Sequence, residues 1–107
     1  MDGHVRVPIV EKSLQEASFL YRQGRLDAAR RLRRSILQAS PENFDCLHGL
    51  GLIELKLDKF TDATALLRRA VRQKPNSAMA CNRLGLALQS LAQYSEANDM
   101  VRGEGSL

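Results

Sequence analysis

Two histidines, two cysteines, 12 acidic and 16 basic side chains are what this 107-residue chain offers for metal-ligating or charged chemistry. A metal centre needs His, Cys, Asp or Glu at ligand spacing. Cys46 and Cys81 lie 35 residues apart and form no CxxC, and no His/Cys cluster accompanies them. They read as free buried thiols of a reducing compartment. His48 is the one histidine inside patterned sequence, and His4 stands in a loose N-terminal stretch. Neither belongs to a Ser/His/Asp or Cys/His arrangement that spacing could support. The carboxylates are scattered, with no pair set apart as acid and base. The run Gly49-Leu50-Gly51 lacks the lysine and spacing of a phosphate loop. Catalysis is therefore not expected, and neither is a metal or cofactor.

The arginines suggest a second chemistry. Arg30, Arg31, Arg33 and Arg34 form one cluster, and Arg68, Arg69 and Arg72 form another. Binding of a nucleic acid or other polyanion would use such cations, with aromatics interleaved for base stacking. No aromatic is interleaved here. The net charge of +4 permits a polyanion without demanding one, so nucleic acid stays an alternative and not the expected partner. No run of about 18 apolar residues is present, and the N-terminus lacks the apolar stretch of a signal peptide. The expectation is a soluble, cytoplasmic single domain, long enough to bury a core without staples.

The elements that carry these residues follow from a repeat. Pro41 and Pro75 are 34 residues apart, as are Leu50 and Leu84, and Gly51 and Gly85. Leu26, Phe60 and Tyr94 form a triple at the same interval, and so do Ala29, Ala63 and Ala97. Within each unit the apolar period is helical. Leu47, Leu50, Gly51 and Glu54/Leu55 share one face, and Cys81, Leu84, Gly85 and Leu88 repeat it. Asn43 and Ser77 sit where N-caps belong. Asp27, Thr61 and Ser95 start the second helices, and Pro41 and Pro75 stop the helices before them. The spacing predicts an all-α chain of six helices, over about 9–23, 26–39, 43–57, 60–73, 77–91 and 94–102. The turns RQGR, KLDK and LAQ join first helix to second within each unit.

The 34-residue period, Leu50-Gly51 and Leu84-Gly85, Phe60…Ala63 and Tyr94…Ala97, and the closing Pro41 and Pro75 together resemble the tetratricopeptide repeat. The resemblance implies a right-handed α-α superhelix of about three helix-turn-helix repeats. Their spans are about 10–43, 44–77 and a truncated 78–102, in a domain of 9–102. A flexible lead over 1–8 and a C-terminal tail over 103–107 flank it. Gly51 and Gly85 would let helices approach closely, with Ala29, Ala63 and Ala97 doing the same on the second helices. Ala17 and Glu16 depart from the usual Gly and Leu in the first unit. The stretch from Gly24 to Ile53 is also similar to repeat arrays that precede bacterial glycosyl- or sulfo-transferase domains.

The resemblance further implies a concave groove lined by the first helix of each unit. Unit 1 contributes Glu11, Leu14, Gln15, Ser18, Tyr21 and Arg22, and unit 2 Asp45, His48, Gly49, Leu52, Leu55 and Lys56. Unit 3 contributes Met79, Asn82, Arg83, Leu86, Gln89 and Ser90. Of the five side chains with which some relatives clamp a peptide's carboxylate, only Arg83 matches. The apolar strip Leu52, Leu55, Met79 and Leu86, flanked by Arg22, Lys56 and Arg83, suits an amphipathic segment with acidic character. The expected role is a non-catalytic protein-interaction scaffold holding a peptide or helix in this groove. The alternatives are an adaptor region of a larger transferase or a polyanion binder using the second-helix arginines. The truncated third unit lacks a closing helix, which also suggests a homodimer formed through that end.

Register sorts the arginines. By eye LRRS and LRRA align at an interval of 35, but the repeat is 34. Only Arg34 and Arg68 share a column, expected to face solvent. Arg33 falls where Leu or an aromatic is usual, and is expected to lay its stem over the core with its charge outward.

Overall fold

The computed structural model describes the backbone of residues 2–106 and the side chains of 10–98. Five helices follow one another: α1 (Asp2–Arg22), α2 (Leu26–Ala39), α3 (Phe44–Lys56), α4 (Phe60–Gln73) and α5 (Ala78–Ser106). Each packs chiefly on its neighbour in sequence, while α1 touches α3 and α3 touches α5. The result is two layers, with α1, α3 and the start of α5 on one side and α2 and α4 on the other. Among the described residues no helix is long and apolar enough to cross a membrane.

The caps fall where the sequence places them. Asn43 Oδ1 accepts from the Cys46 amide at 2.9 Å, and Ser77 Oγ from the Ala80 amide at 3.2 Å, each satisfying an orphan donor of a first turn. α2 and α4 both end two residues before their prolines. The core holds Ala17, Ala29, Ile36, Leu47, Leu50, Ile53, Ala63, Leu67 and Ala70. Ala17, in the first unit's glycine column, is fully buried, so a methyl group suffices there. At Gly51 it would not: an added Cβ would lie 2.7 Å from Leu67 Cγ.

The third unit departs from the sixfold helix count. α5 runs unbroken through Leu91–Gln93, where a turn was expected, and Ser95 lies within it instead of starting a new helix. The two turns that do form explain why. The first places Gly24 at φ +79° and the second places Asp58 at φ +59°. The amides of Arg25 and Lys59 then reach back to the carbonyls of Leu20 and Glu54, at 2.9 and 2.8 Å. This left-handed closure needs Gly, or Asn/Asp, at the pivot. Gly24 and Asp58 are 34 residues apart, and the next position in that column is Ala92. Its Cβ disfavours the left-handed turn by about 1–2 kcal/mol, and its neighbours Leu91, Gln93 and Glu96 are good helix formers.

Three expectations change with it. Gly85 has nothing within 4 Å of an added Cβ, so it mediates no close approach. Ala97 is exposed, unlike Ala29 and Ala63, and Tyr94 is 56% exposed while its ring still meets that of Phe60 edge-on at 6.1 Å. Helical backbone runs from Asp2 across the stretch expected as a lead, and to Ser106 across that expected as a tail. Their side chains, and Met1 and Leu107 altogether, lie outside the described residues.

Candidate functional site

The inner faces of α1, α3 and α5 enclose an open cavity of about 640 Å³. Each first helix contributes along one face, because residues three and four apart stack on a helix. α1 supplies Glu11, Leu14, Gln15, Ser18 and Arg22; α3 supplies Asp45, His48, Gly49 and Leu52; α5 supplies Met79 and Arg83. All eleven were among the sequence-predicted groove residues, and they meet around one space. Met79 is 57% exposed, an apolar side chain held open to solvent.

The others stand elsewhere. Tyr21 is half-buried beside a smaller annex of the cavity, about 180 Å³, with the Lys56 ammonium 5.6 Å from its ring centroid. That cation–π contact occupies both side chains. Leu55 packs on Ala63, Leu67 and Ala87, so it belongs to the core. Asn82, Leu86 and Gln89 are exposed on α5, away from the cavity.

His48 and Arg83 are joined. The Arg83 guanidinium lies 2.8 Å from His48 Nε2. Arginine can only donate, so Nε2 carries the lone pair and the neutral ring keeps its proton on Nδ1. Burial lowers the His48 pKa below its ordinary value, and the Arg83 charge lowers it further. Phe44 supports the ring from the side, with centroids 5.3 Å apart, and Lys74 lies 4.6 Å from the Phe44 centroid.

Arg33 is the residue that sequence reasoning misplaced. It starts on α2, in the other layer, but its side chain runs inward between α1 and α3 and lines the floor of the cavity and its annex. It is 7% exposed. Nη1 donates to the Asp45 carbonyl at 2.9 Å and Nη2 to Ser18 Oγ at 3.2 Å. Gly49 makes the room, since a Cβ there would collide with the guanidinium. The signal was present as a long polar side chain in an apolar column one helix from a glycine, but no local pattern links residues 33 and 49. Cys46 anchors the same place from behind: its thiol donates to the Arg33 carbonyl at 2.9 Å. Burial pushes that thiol up to about 11, which keeps it a protonated packing group. Cys81, expected to be buried as well, is exposed.

The remaining arginines are dispersed. Arg30 grips the buried Glu54 carboxylate with Nε at 2.5 Å and Nη2 at 3.1 Å, and Arg34 lies 3.9 Å from it. Arg69 donates to the Pro41 carbonyl at 2.7 Å across the unit boundary. Arg31, Arg34, Arg68 and Arg72 are exposed, and the shared column of Arg34 and Arg68 faces solvent as its register requires.

Residues 20–84 match a family model described as a tetratricopeptide repeat. Among solved structures, a point mutant of the Thermobaculum terrenum O-GlcNAc transferase is 33% identical with a TM-score of 0.74, covering 77% of this chain and 16% of that one. MamA, as a mutant and as an MSR-1 form, is 28% identical with a TM-score of 0.72. There the match covers 84% of this chain and 52% of that one. The chain thus spans about half of MamA and far less of the transferase. No curated protein sequence matches it.

Proposed function

Because the chain belongs to the tetratricopeptide-repeat family, whose arrays are protein-interaction scaffolds, we propose that it holds a peptide or helix of a partner protein in the cavity of α1, α3 and α5. The observation that carries this is one continuous space, about 640 Å³, to which the first helices of all three units contribute. Its contacts combine apolar Leu52 and Met79 with Arg22 and Arg83, a pairing that fits an amphipathic segment with acidic residues. Affinity would concentrate in these few side chains and not spread over the whole inner face. The role is non-catalytic.

The test is capture of a partner by the intact chain, repeated with Leu52→Glu and with Arg83→Glu. Each variant is first shown to be folded by its thermal melt. Both are expected to lose capture by tenfold or more, on the order of a desolvated hot-spot contact. Undiminished capture by both variants overturns the groove.

A second reading is favoured by the transferase likeness: the repeats serve as the adaptor region of a larger transferase. The mass of the native protein decides it. A native product of 11.9 kDa would overturn it.

A further inference from the structure

The last helix carries both halves of a packing interaction and cannot join them within one chain. In the second unit, α3 buries Leu47, Leu50, Gly51 and Glu54 against its neighbours α2 and α4. One repeat later the same columns hold Cys81, Leu84, Gly85 and Leu88. There Cys81, Gly85 and Leu88 are exposed and Leu84 is half-buried. The covering pattern exists as well. Phe60, Ala63 and Leu67 of α4 recur as Tyr94, Ala97 and Val101. Because α5 runs straight past Ala92, that pattern never reaches its own first-helix face. Every described residue from Ala92 to Asn98 is exposed.

Charge follows the same columns. Arg34 and Asp62 line one space between α2 and α4, and their counterparts a repeat later are Arg68 and Glu96. Arg68, Arg69 and Arg72 border an open notch of about 340 Å³ between α4 and Leu91 of α5. Residues 94–106 carry three carboxylates and one arginine. An acidic second-helix segment and a basic notch beside an uncovered first-helix face are complementary.

We propose that a second copy of this chain covers that face: two copies pair antiparallel through α5 about a two-fold axis near Gln93, and residues 94–106 of each serve as the missing second helix of the other. Register supports it. Gly51 lies against Leu67, and Leu55 packs on Ala63. A repeat later these pairs become Gly85 with Val101 and Gln89 with Ala97, both centred on residue 93. Two straight helices that cross there keep the pairing of the hairpin and make it between copies, which is a domain swap about an opened hinge. None of Cys81, Leu84, Gly85 and Leu88 lines the groove cavity, so the pairing is independent of the groove reading. In the dilute monomer this face, Gly85 included, stays open.

The full chain, with Cys81→Ser to remove the exposed thiol, tests this when it also carries Gln89→Cys and Ala97→Cys. On one straight helix these positions are about 12 Å apart, too far for a disulfide. Mild oxidation should give a covalent dimer of twice 11.9 kDa. Neither cysteine alone should give it, because like positions do not meet in this register. A disulfide within one chain means that α5 folds back, and it overturns the proposal. So does the absence of any link, or an equal yield from either single cysteine. Light scattering on the unmodified chain should show the mass rising with concentration from 11.9 kDa towards twice that value, and a constant 11.9 kDa overturns the pairing. Ala92→Gly restores the pivot residue of Gly24 and should weaken dimerisation tenfold or more. Unchanged dimerisation in a folded Ala92→Gly variant overturns the swap.

Discussion

Glu54 and Arg33 are both charged and both buried, and their surroundings treat them differently. Glu54 is fully covered but neutralised by the Arg30 fork, with Arg34 behind it. A buried pair of this geometry offsets much of its own desolvation. Arg33 hydrogen-bonds only to neutral acceptors, with the Asp45 charge nearby, and desolvation still outweighs that charge. The helical face containing Glu54 is legible in the sequence. Its partner is not, because Arg30 lies 24 residues away on another helix. His48 makes the pH argument at this scale. Its folded pKa lies below the ordinary value near 6.5, so the unfolded chain binds the extra proton more readily. The stability contribution is complete above about pH 6.5 and is lost as pH falls through the lowered folded pKa. Denaturant melts from pH 8 to 5 should show this loss in the native chain and much less of it in His48→Gln. An identical pH profile in the two would show that His48 contributes nothing to it.

At the scale of elements, the difference between a hairpin and a straight rod lies in one column. Gly24 and Asp58 adopt the left-handed turn, and Ala92 does not. The residue pattern of the third second helix, Tyr94 and Ala97 included, was present without the pivot that would fold it back. A paired substitution reads this out. Gly51→Ala should destabilise by about 1–3 kcal/mol, because its Cβ meets Leu67 at 2.7 Å in a filled core. Gly85→Ala should be neutral or stabilising by up to about 1 kcal/mol, since the space is open and Ala favours helix. Equal losses in chemical denaturation would mean that α5 folds back upon itself.

The whole molecule is long and narrow, 67 × 29 × 21 Å, with a radius of gyration of 16.4 Å. A compact domain of about 100 residues would be near 13 Å. Each helix contacts its neighbours along the array, so the surface splits into an inner groove and an outer face. The second-helix arginines divide between them: Arg33 goes to the groove floor, Arg30 and Arg69 into contacts between helices, and the rest to the exterior. Among the described residues, the second helices leave a polyanion Arg31, Arg34, Arg68 and Arg72 as exposed cations. Affinity for a 20-nucleotide single strand should therefore be weak, and anisotropy should detect none near 150 mM salt. Tight binding with a steep salt slope would reinstate the polyanion alternative.

The amino-acid sequence by itself determined the all-helical repeat, its period, the caps at Asn43 and Ser77, and the ends of α2 and α4 at their prolines. These are local properties, written in periodicity and in residues that favour or forbid one backbone conformation. Tertiary structure alone decided that Arg33 passes between two helices to the groove, that Arg30 meets Glu54, that Leu55 turns to the core, and that Gly85 faces open space. Each of these depends on which side chains occupy the volume left by a distant helix, and no spacing along the chain encodes that volume.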